Sequence, residues 1–384
     1  MTIGFITENN LNALREMRKY CFSVDDDCVE RSLKGRYTPE NYIGYFDDNI
    51  LTATVEIRPY RIFFHGHEAG MGGIAWVTSL PEYRHGGRVR KILQHCMILM
   101  RERKQYFSFL GPFSYEFYRK LGWGHTFTYK EFFADINELS TTDRHTLKPV
   151  LFEAGNLPVM NELYKKVYRN YNGPIIRSDV QLKEKVGNRY CYLFYSESAT
   201  LEGYIIFDIH EHVFRIEELV VSSGKVRSEI FSFIMKHTAQ AKNFTFITYD
   251  DNIELHFKEH RTNKYSIKTK NMVRVIDVYE VLKLMKPITE NDFSLSVKVI
   301  DKLAPWNNNT FVVRQKNNTI SISIDNSIVP DIVADIDKFS QLAMGVFSAE
   351  SGYQMGFIDI SEKADFSVLN KFFYKKPLAL FDSF

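Results

Sequence analysis

The segment WVTSLPEYRHGGRVRKILQHCM, residues 76–97, decides the fold of the first part of the chain. An extended run that ends at Ser79 is followed by Pro81 and a glycine pair, and apolar residues then recur at helical spacing. A strand that runs through a glycine turn into a helix leaves unpaired backbone N–H groups at the positive end of the helix dipole. Because an anion fits at such a helix end, the segment predicts a phosphate-binding turn.

The glycines and arginines of this turn suit a pyrophosphate. Gly86 and Gly87 would let the backbone approach a phosphate without an intervening Cβ, and Arg84, Arg88 and Arg90 could add charge-assisted hydrogen bonds. Taken alone, a glycine pair after a strand is equally compatible with a tight turn that carries solvated arginines. The surrounding pattern is therefore needed to choose between the two interpretations.

That pattern alternates strands and helices over the first third of the chain. Helical apolar spacing predicts helices after residue 9 and after the glycine pair, and short runs of β-forming residues predict strands between them. The predicted helices span residues 9–21, 89–100 and 113–121, and the predicted strands span 41–46, 50–57, 73–79, 106–110 and, closing this part, 126–133.

A degenerate repeat of this pattern begins near Leu147. The segment SSGKVRSEIFSFIMKH, residues 222–237, echoes EYRHGGRVRKILQHCM, residues 82–97, with a strand before it and a helix after it. It has one glycine, Gly224, and lacks the first arginine of the turn. The repeat therefore predicts a second domain that keeps the fold and has lost the phosphate site.

The last hundred residues have a different character. TFVVRQ and TISISI, separated by KNN, form a hairpin pattern, and helical patterns follow near residues 335–344 and 365–373. This is an α+β module. We therefore predict two α/β domains and one α+β domain, with the boundaries 1–140, 141–285 and 286–384.

Composition excludes several classes of function. The 49 Lys and Arg nearly balance the 47 Asp and Glu, leaving a formal charge of +2, so no global field attracts nucleic acid or an anionic membrane. No secretory signal pattern and no run of eighteen apolar residues occurs, which predicts a cytoplasmic protein. The four cysteines form no CxxC pair, and His65-Gly66-His67 is interpreted as a turn, so no metal is expected.

The glycine turn resembles the acetyl-CoA signature of the GNAT acetyltransferases, R-x-x-G-x-G/A. Arg84 and Gly87 match it, whereas Val89 stands where Gly or Ala is commoner. Eis-type enzymes of this superfamily instead resemble R-x-x-G-x-x-R, which Arg84, Gly87 and Arg90 satisfy. The sequence is thus similar to the Eis-type GNAT family, and the resemblance implies that acetyl-CoA is the co-substrate.

A second segment, PFSYEFYRKLGWG at residues 112–124, resembles the GNAT segment in which a tyrosine precedes an aromatic and glycine-containing turn. The resemblance implies that Tyr118 is the general acid. A phenol whose ordinary pKa is near 10 can protonate a leaving thiolate that lies within hydrogen-bond reach. The alternative is that Tyr118 is one more core aromatic in a chain with 22 tyrosines.

The third matching element is the chain end LFDSF. In Eis-like enzymes the C-terminal carboxylate is the proposed base, and Phe384 occupies that position here. An α-carboxyl with an ordinary pKa near 3.5 is a weak base for an ammonium, so a water relay or an acceptor of lowered pKa would be needed. An apolar chain end that only packs is the alternative.

The resemblance covers the whole chain as two GNAT-like domains followed by a domain similar to sterol carrier proteins. It implies an N-acetyltransferase in which a primary amine attacks acetyl-CoA directly. It also implies a polycationic acceptor, most of all an aminoglycoside, and assembly as a homohexamer. A polyamine or a protein lysine is an equivalent amine, and a scaffold or apolar-ligand-binding protein is the non-enzymatic alternative.

The resemblance also assigns the remaining site residues. It implies that backbone groups of one strand pair with the pantetheine arm, that the turn holds the pyrophosphate, and that one serine lies near the reactive end. The strand residues are Val77, Thr78 and Ser79. The residues of the turn are Arg84, His85, Gly86, Gly87, Arg88, Val89 and Arg90, and the serine is Ser114.

Substrate binding is assigned to the acidic run after the first helix and to one aromatic residue. Asp25 and Asp26, beside Asp27, could bind a cation, and Trp76 could line an aromatic pocket; a solvated loop and a core position are the alternatives. Glu56 could be the base used by other GNAT enzymes. We expect it instead to be an exposed strand residue, because the chain end offers a base.

Overall fold

The computed structural model describes residues 1–35, 37–259 and 264–382. The described chain forms two compact units. Unit 1 comprises Met1–Thr126 and Asn271–Lys376, together with Asp382, and unit 2 comprises Phe127–Lys270 and Pro377–Phe381. Strands and helices are numbered below in chain order.

The first part of unit 1 is built on a seven-stranded sheet with the order β1-β2-β3-β4-β5-β14-β6. Only β4 and β5 pair in parallel. The strands are β1 (Thr2–Phe5), β2 (Tyr42–Asp47), β3 (Ile50–Phe64), β4 (His67–Ser79), β5 (Gln105–Leu110), β6 (Gly124–His125) and β14 (Met272–Val275). His65 and Gly66 turn the chain between β3 and β4, as the sequence predicts.

Four helices accompany this sheet: α1 (Leu11–Phe22), α2 (Asp26–Leu33), α3 (Arg88–Glu102) and α4 (Tyr115–Arg119). The apolar stripe predicted for α3 is confirmed, because its residues are buried against the sheet. They are Ile92, Leu93, Cys96, Met97 and Met100. The predicted strand, turn and helix are confirmed, and the connection β4–α3–β5 is a parallel crossover.

Unit 1 also contains the last domain, a five-stranded sheet with the order β17-β16-β15-β18-β19. Its strands are β15 (Phe293–Ile300), β16 (Thr310–Lys316), β17 (Thr319–Ile324), β18 (Ile332–Asp335) and β19 (Asp359–Ile360). Its helices are α8 (Val278–Leu284), α9 (Ile336–Met344), α10 (Ala349–Gln354) and α11 (Phe366–Phe372). The predicted hairpin is confirmed as β16 and β17.

Unit 2 contains the second seven-stranded sheet, in the order β13-β7-β12-β11-β10-β9-β8. The strands are β7 (Thr128–Asp135), β8 (Lys148–Leu151), β9 (Tyr190–Tyr195), β10 (Leu201–His210), β11 (Val213–Val221), β12 (Asn243–Thr248) and β13 (Lys264–Thr269). Its helices are α5 (Leu157–Tyr168), α6 (Asp179–Val186) and α7 (Gly224–Met235).

The two large sheets confirm the predicted repeat. In unit 2 the connection β11–α7–β12 is again the parallel crossover, with antiparallel strands on both sides. The prediction that the strand near residues 126–133 closes the first sheet is wrong. This strand, β7, lies beside β12, and β14, which follows the second sheet in sequence, lies beside β5. The two repeats therefore exchange the sixth strand of their sheets.

Among the described helices, none has both the length and the apolar character that crossing a bilayer requires.

Candidate active site

A β-bulge interrupts β4 just before the glycine turn. Trp76 and Val77 together oppose the single residue Val55 of β3. Trp76 has a φ of +48°, a left-handed conformation that a bulky residue rarely adopts. Backbone strain of about 1–3 kcal/mol is expected for such a residue, and strain of this kind concentrates at functional sites.

The same end of β4 has an unpaired edge. Pairing with β5 ends at Ile74 and Leu110. The following residues of β4, numbers 75–79, pair with β3 on one side and have no partner strand on the other within the described sheet. Main-chain groups of such an edge can bind an extended ligand as an added strand does. The edge includes Val77, Thr78 and Ser79, which the sequence assigned to the pantetheine arm.

The glycine turn leads to a helix N-terminus without a side-chain cap. Gly87, with a φ of +74°, is the N-cap of α3, and no side chain accepts a hydrogen bond from the first turn. A Cβ at Gly87 would meet open space, so the backbone can be approached closely there. His85 also has a positive φ, of +63°. The first amides of α3 are thus available to an anion.

The arginines of the turn are not equivalent. Arg88 is held by Asp47 at 2.5 Å and also donates to the carbonyl of Tyr83 at 3.1 Å. Arg84 is exposed and donates to the carbonyl of Ser79 at 3.2 Å, across the turn. Arg90 is exposed and Val89 is half-buried. Arg88 therefore stabilises the turn, whereas Arg84 and Arg90 face solvent, where a phosphate would approach.

Tyr118 is buried on α4, with 2% of its surface exposed. Its ring makes edge contacts with Phe113, Phe117 and Trp123 at centroid distances of 5.4, 5.1 and 6.1 Å. Its phenol forms no hydrogen bond with any described residue, and burial raises its pKa above the ordinary value of 10. The phenol is therefore a protonated donor without an acceptor among the described residues.

A cavity of about 510 Å³ brings these features together in unit 1. Tyr118, Gly111 and the bulge of β4 form one side, and α1, α2 and β3 contribute the other. The lining residues are Phe22, Cys28, Arg31, Ser32, Arg58, Ile74, Ala75, Trp76, Val77, Gly111, Phe113 and Tyr118. Trp76 and Tyr118 thus reach one space, as expected if the acyl group and its acceptor meet there. Val77, predicted to bind the pantetheine arm, also lines the cavity, whereas the remaining lining residues were not predicted.

Behind the cavity lies a buried ion cluster that corrects the interpretation of Glu56. Glu56 is 2% exposed, and its two oxygens accept hydrogen bonds from Arg58 at 2.6 Å and from Arg18 at 2.7 Å. It is therefore not an exposed strand residue. Because both oxygens are held by guanidinium groups, Glu56 is not placed to take a proton from a substrate.

Arg18 links this cluster to the bulge. It is fully buried, donates to Ser32 at 2.7 Å, and lies 4.6 Å from the centroid of the Trp76 ring. The edge of Phe22 contacts the same ring at 4.7 Å. The sequence did contain a signal for this residue, because Arg18 falls on the apolar face of α1, four positions after the buried Leu14.

The acidic residues assigned to substrate binding lie at the start of α2 and already have partners. Asp25 is the N-cap of α2 and accepts from the backbone N–H of Cys28 at 2.7 Å, and Asp26 pairs with Lys19 at 2.8 Å. Neither lines the cavity, although Cys28 does. Ser114 is the N-cap of α4 and accepts from the N–H of Phe117 at 3.3 Å.

Phe384 lies outside the described residues, so its assigned role stays a prediction. Nearby in sequence, the segment Pro377–Phe381 is part of unit 2. There the phenol of Tyr249 donates to the carbonyl of Leu380 at 2.6 Å, and Lys185 donates to the carbonyl of Phe381 at 3.1 Å. The ring of Phe381 lies 4.8 Å from that of Tyr168.

Unit 2 repeats the strand geometry without the open helix end. Its parallel pairing stops at Ile216 and Phe246, and a bulge follows in β11. The N-terminus of α7, however, is capped by Ser223, which accepts from the N–H of Val226 at 3.4 Å. The matching cavity is only about 120 Å³, and Phe381 lines it. This agrees with a second domain that has lost its phosphate site.

In the part of the chain that the structure describes, no three His, Cys, Asp or Glu side chains are close enough to hold a metal ion.

The described geometry agrees with the family comparisons. Residues 2–126 and residues 173–275 match two family models, each described as an acetyltransferase (GNAT) domain. Residues 278–380 match a sterol carrier protein domain. No curated protein sequence matches the chain.

Solved structures share the fold over the whole chain. A conserved protein from Enterococcus faecalis has a TM-score of 0.89 at 22% identity, covering 100% of this chain and 99% of that one. A GCN5-related N-acetyltransferase from Anabaena variabilis has 0.88 at 21%, covering 100% of both chains. Eis1 from Mycobacterium abscessus has 0.80 at 13%, also covering 100% of both.

Fold and family matches together define the class of protein. The chain is an acyltransferase of the GNAT superfamily, with two GNAT domains followed by a sterol carrier protein domain. Over its whole length the chain also shares its fold with Eis1 from Mycobacterium abscessus. The fold implies acetyl-CoA as the co-substrate and an acceptor for the acyl group.

Proposed function

We propose that the protein transfers an acetyl group from acetyl-CoA to a primary amine by direct attack, in the cavity beside Tyr118. One observation carries the proposal: the same stretch of chain first lines that cavity and then leads to the uncapped N-terminus of α3. The bulge residues of β4 line the cavity, the unpaired edge of β4 follows, and the glycine turn then delivers the chain to α3.

The residues of this chain fit acetyl-CoA in two places. The unpaired backbone of Val77, Thr78 and Ser79 would hold the pantetheine arm as an added strand. The open amides of α3, with Gly86 and Gly87 before them, would hold the pyrophosphate, and the exposed Arg84 and Arg90 would add charge. His85, Arg88 and Val89 would shape the turn, and Ser114 would lie toward the reactive end.

Acetyl-CoA supplies the acetyl group as a thioester. In the overall exchange a C–N bond forms, the C–S bond breaks, the amine loses a proton and the thiolate gains one. Tyr118 would give the proton to the sulfur, since its phenol is protonated, buried and without an acceptor in the described part of the chain. No covalent link between enzyme and acetyl group is needed.

The proton from the amine needs an acceptor other than Glu56. Both oxygens of Glu56 are already held by arginines. We assign this role to the α-carboxylate of Phe384, acting directly or through water, on the basis of the resemblance to Eis-like enzymes. A chain extended by a few residues past Phe384 removes that carboxylate from its place and tests the assignment.

The finer expectations come from the same resemblance. It suggests an aminoglycoside acceptor, with Asp25, Asp26 and Trp76 near the substrate, and it suggests a cytoplasmic homohexamer. Trp76 lines the cavity, which supports its assignment to substrate binding. Light scattering on a size-exclusion column tests the assembly, and a monomer would contradict it.

Thiol release from acetyl-CoA tests the function. Wild type should turn over with at least one primary amine from a panel of aminoglycosides, polyamines and simple aralkyl amines, and the extended chain should be slower. Calorimetric binding of acetyl-CoA to the same protein is the second measurement. A folded protein that neither binds acetyl-CoA nor releases thiol would instead favour the scaffold alternative.

A further inference from the structure

The cavity beside Tyr118 carries an excess of positive charge. Its lining includes two guanidinium groups, those of Arg31 and Arg58, and no carboxylate side chain among the described residues. Behind the wall, Arg58 shares the carboxylate of Glu56 with Arg18. Three guanidinium groups therefore stand against one carboxylate side chain among the described residues, and the α-carboxylate assigned above as the base would still leave one positive charge unpaired.

Arg58 and Arg31 have unused donors. Arg58 directs Nε and one terminal nitrogen at Glu56, at 2.6 and 3.3 Å, which leaves N–H groups of its other terminal nitrogen for a ligand. Its side chain is 12% exposed and is held in place by that pair. Arg31 is exposed on α2 and has no hydrogen bond or ion pair with any described residue.

Two carboxylates close to Arg31 in sequence are, by contrast, already engaged. Asp26 pairs with Lys19 at 2.8 Å, and Glu30, the residue before Arg31, pairs with Arg15 at 2.6 Å. Neither acidic residue lines the cavity. Among the described residues, the charged side chains that line the cavity are therefore both cations.

We infer that the acceptor is a primary amine that also bears an oxyanion, a carboxylate or a phosphate, which Arg31 and Arg58 bind. The inference rests on the proposed acetyl transfer, and it replaces the polycationic acceptor that the resemblance suggests with an amine that bears an oxyanion. A guanidinium fork matches a carboxylate or phosphate with two parallel hydrogen bonds. A second ammonium on the acceptor would instead be repelled at this wall.

The lining of the cavity also favours one kind of molecular frame between the amine and the oxyanion of the acceptor. Phe22, Trp76 and Phe113 line it, and Phe22 and Phe113 are 45% and 73% exposed. Unoccupied aromatic surface of this kind gains by covering an apolar ligand body. The acceptor therefore carries its amine and its oxyanion on an apolar or aromatic frame.

This arrangement also assists the chemistry. Nearby positive charge lowers the pKa of an ammonium, since it disfavours the charged form. The acceptor amine is thus more easily deprotonated.

The test compares amines that differ only in the para substituent. Benzylamine, 4-(aminomethyl)benzoate, 4-(aminomethyl)phenylphosphonate and 1,4-bis(aminomethyl)benzene are given to wild-type enzyme with acetyl-CoA. We expect kcat/KM for the carboxylate or the phosphonate to exceed that for benzylamine by about 10- to 100-fold, with the diamine poorest. A diamine equal to or better than both anions overturns the inference, although the acetyltransferase would stand.

Arg31→Gln identifies the binding group, and Arg61→Gln is its control. Arg61, on β3, is exposed like Arg31, but it pairs with Glu68 and does not line the cavity. Arg31→Gln should lower kcat/KM for the anionic acceptor about tenfold and leave benzylamine within about twofold, while Arg61→Gln changes neither. Equal effects of Arg31→Gln on all the acceptors would overturn the assignment.

A binding measurement separates the two proposals. Calorimetry of 4-(aminomethyl)benzoate with wild type and Arg31→Gln, each mixed with CoA, is independent of turnover. Weaker binding to the variant supports the anion site even if no thiol is released. Absent binding, or binding of the same strength to both proteins, refutes it.

Discussion

Removing the hydroxyl of Tyr118 separates its chemical role from its place in the core. In Tyr118→Phe the ring keeps its edge contacts with Phe113, Phe117 and Trp123. The phenol has no hydrogen bond to a described residue, so its loss leaves no protein group unpaired. We expect the free energy of unfolding to change by less than about 0.5 kcal/mol. A positioned general acid contributes about 10²- to 10⁴-fold, so kcat should fall at least about 100-fold.

The assay is continuous thiol release at saturating acetyl-CoA and acceptor. Tyr115→Phe, three positions earlier on the same helix and 41% exposed, is the matched control and should retain at least about half of the activity. Burial raises the pKa of Tyr118 above 10, so the acid stays protonated and wild-type kcat should not decline from its ionisation between about pH 6 and 10. A Tyr118→Phe enzyme within about twofold of wild type in kcat would refute the assignment.

Three further predictions concern stability. Burial alone would raise the pKa of Glu218, but the charge of Arg177 outweighs burial and lowers that pKa from 4.5 to about 2. Wild type should therefore lose stability as the pH falls from 4.5 to 2. Glu218→Gln should flatten this dependence in urea titrations, and an unchanged slope would contradict it. Gly122→Ala should cost several kcal/mol, because the φ is +90° and the Cβ would collide with Arg274; an unchanged melting temperature would refute this. In Gly87→Ala the Cβ would lie in open space, so the substitution should lower the free energy of unfolding by only about 1 kcal/mol. It should nevertheless weaken acetyl-CoA binding, and unchanged affinity would count against the phosphate site.

Local patterns predicted local structure well. The turn after Ser79, the apolar stripe of α3 and the turn at His65 depend on neighbours within a few residues, and each is where its pattern placed it. The bulge at Trp76 has no such local signature. It depends on the register of β4 against β3, which composition does not specify.

The ion cluster shows why the site was only partly predictable. Glu56 was expected to be exposed because an isolated carboxylate on a strand is most easily solvated. Its neutralising partner Arg18 lies 38 positions earlier, on α1, and contacts it only once helix and sheet have packed. No sequence pattern identified Arg31 as a residue of the site. Its relevance comes from the packing of α2, an eight-residue helix, beside the cavity.

The two GNAT domains share one strand geometry, and small side-chain differences decide what each can bind. Both have a parallel pair that stops short and a bulge beyond it. In the first domain Gly87 leaves the helix amides open, so an anionic ligand can gain their hydrogen bonds. In the second, Ser223 already satisfies one of those amides, and Phe381 lines what remains of the cavity. An anion would have to displace the serine before it gained the same contact, so we expect the cofactor to bind at the first domain and not at the second.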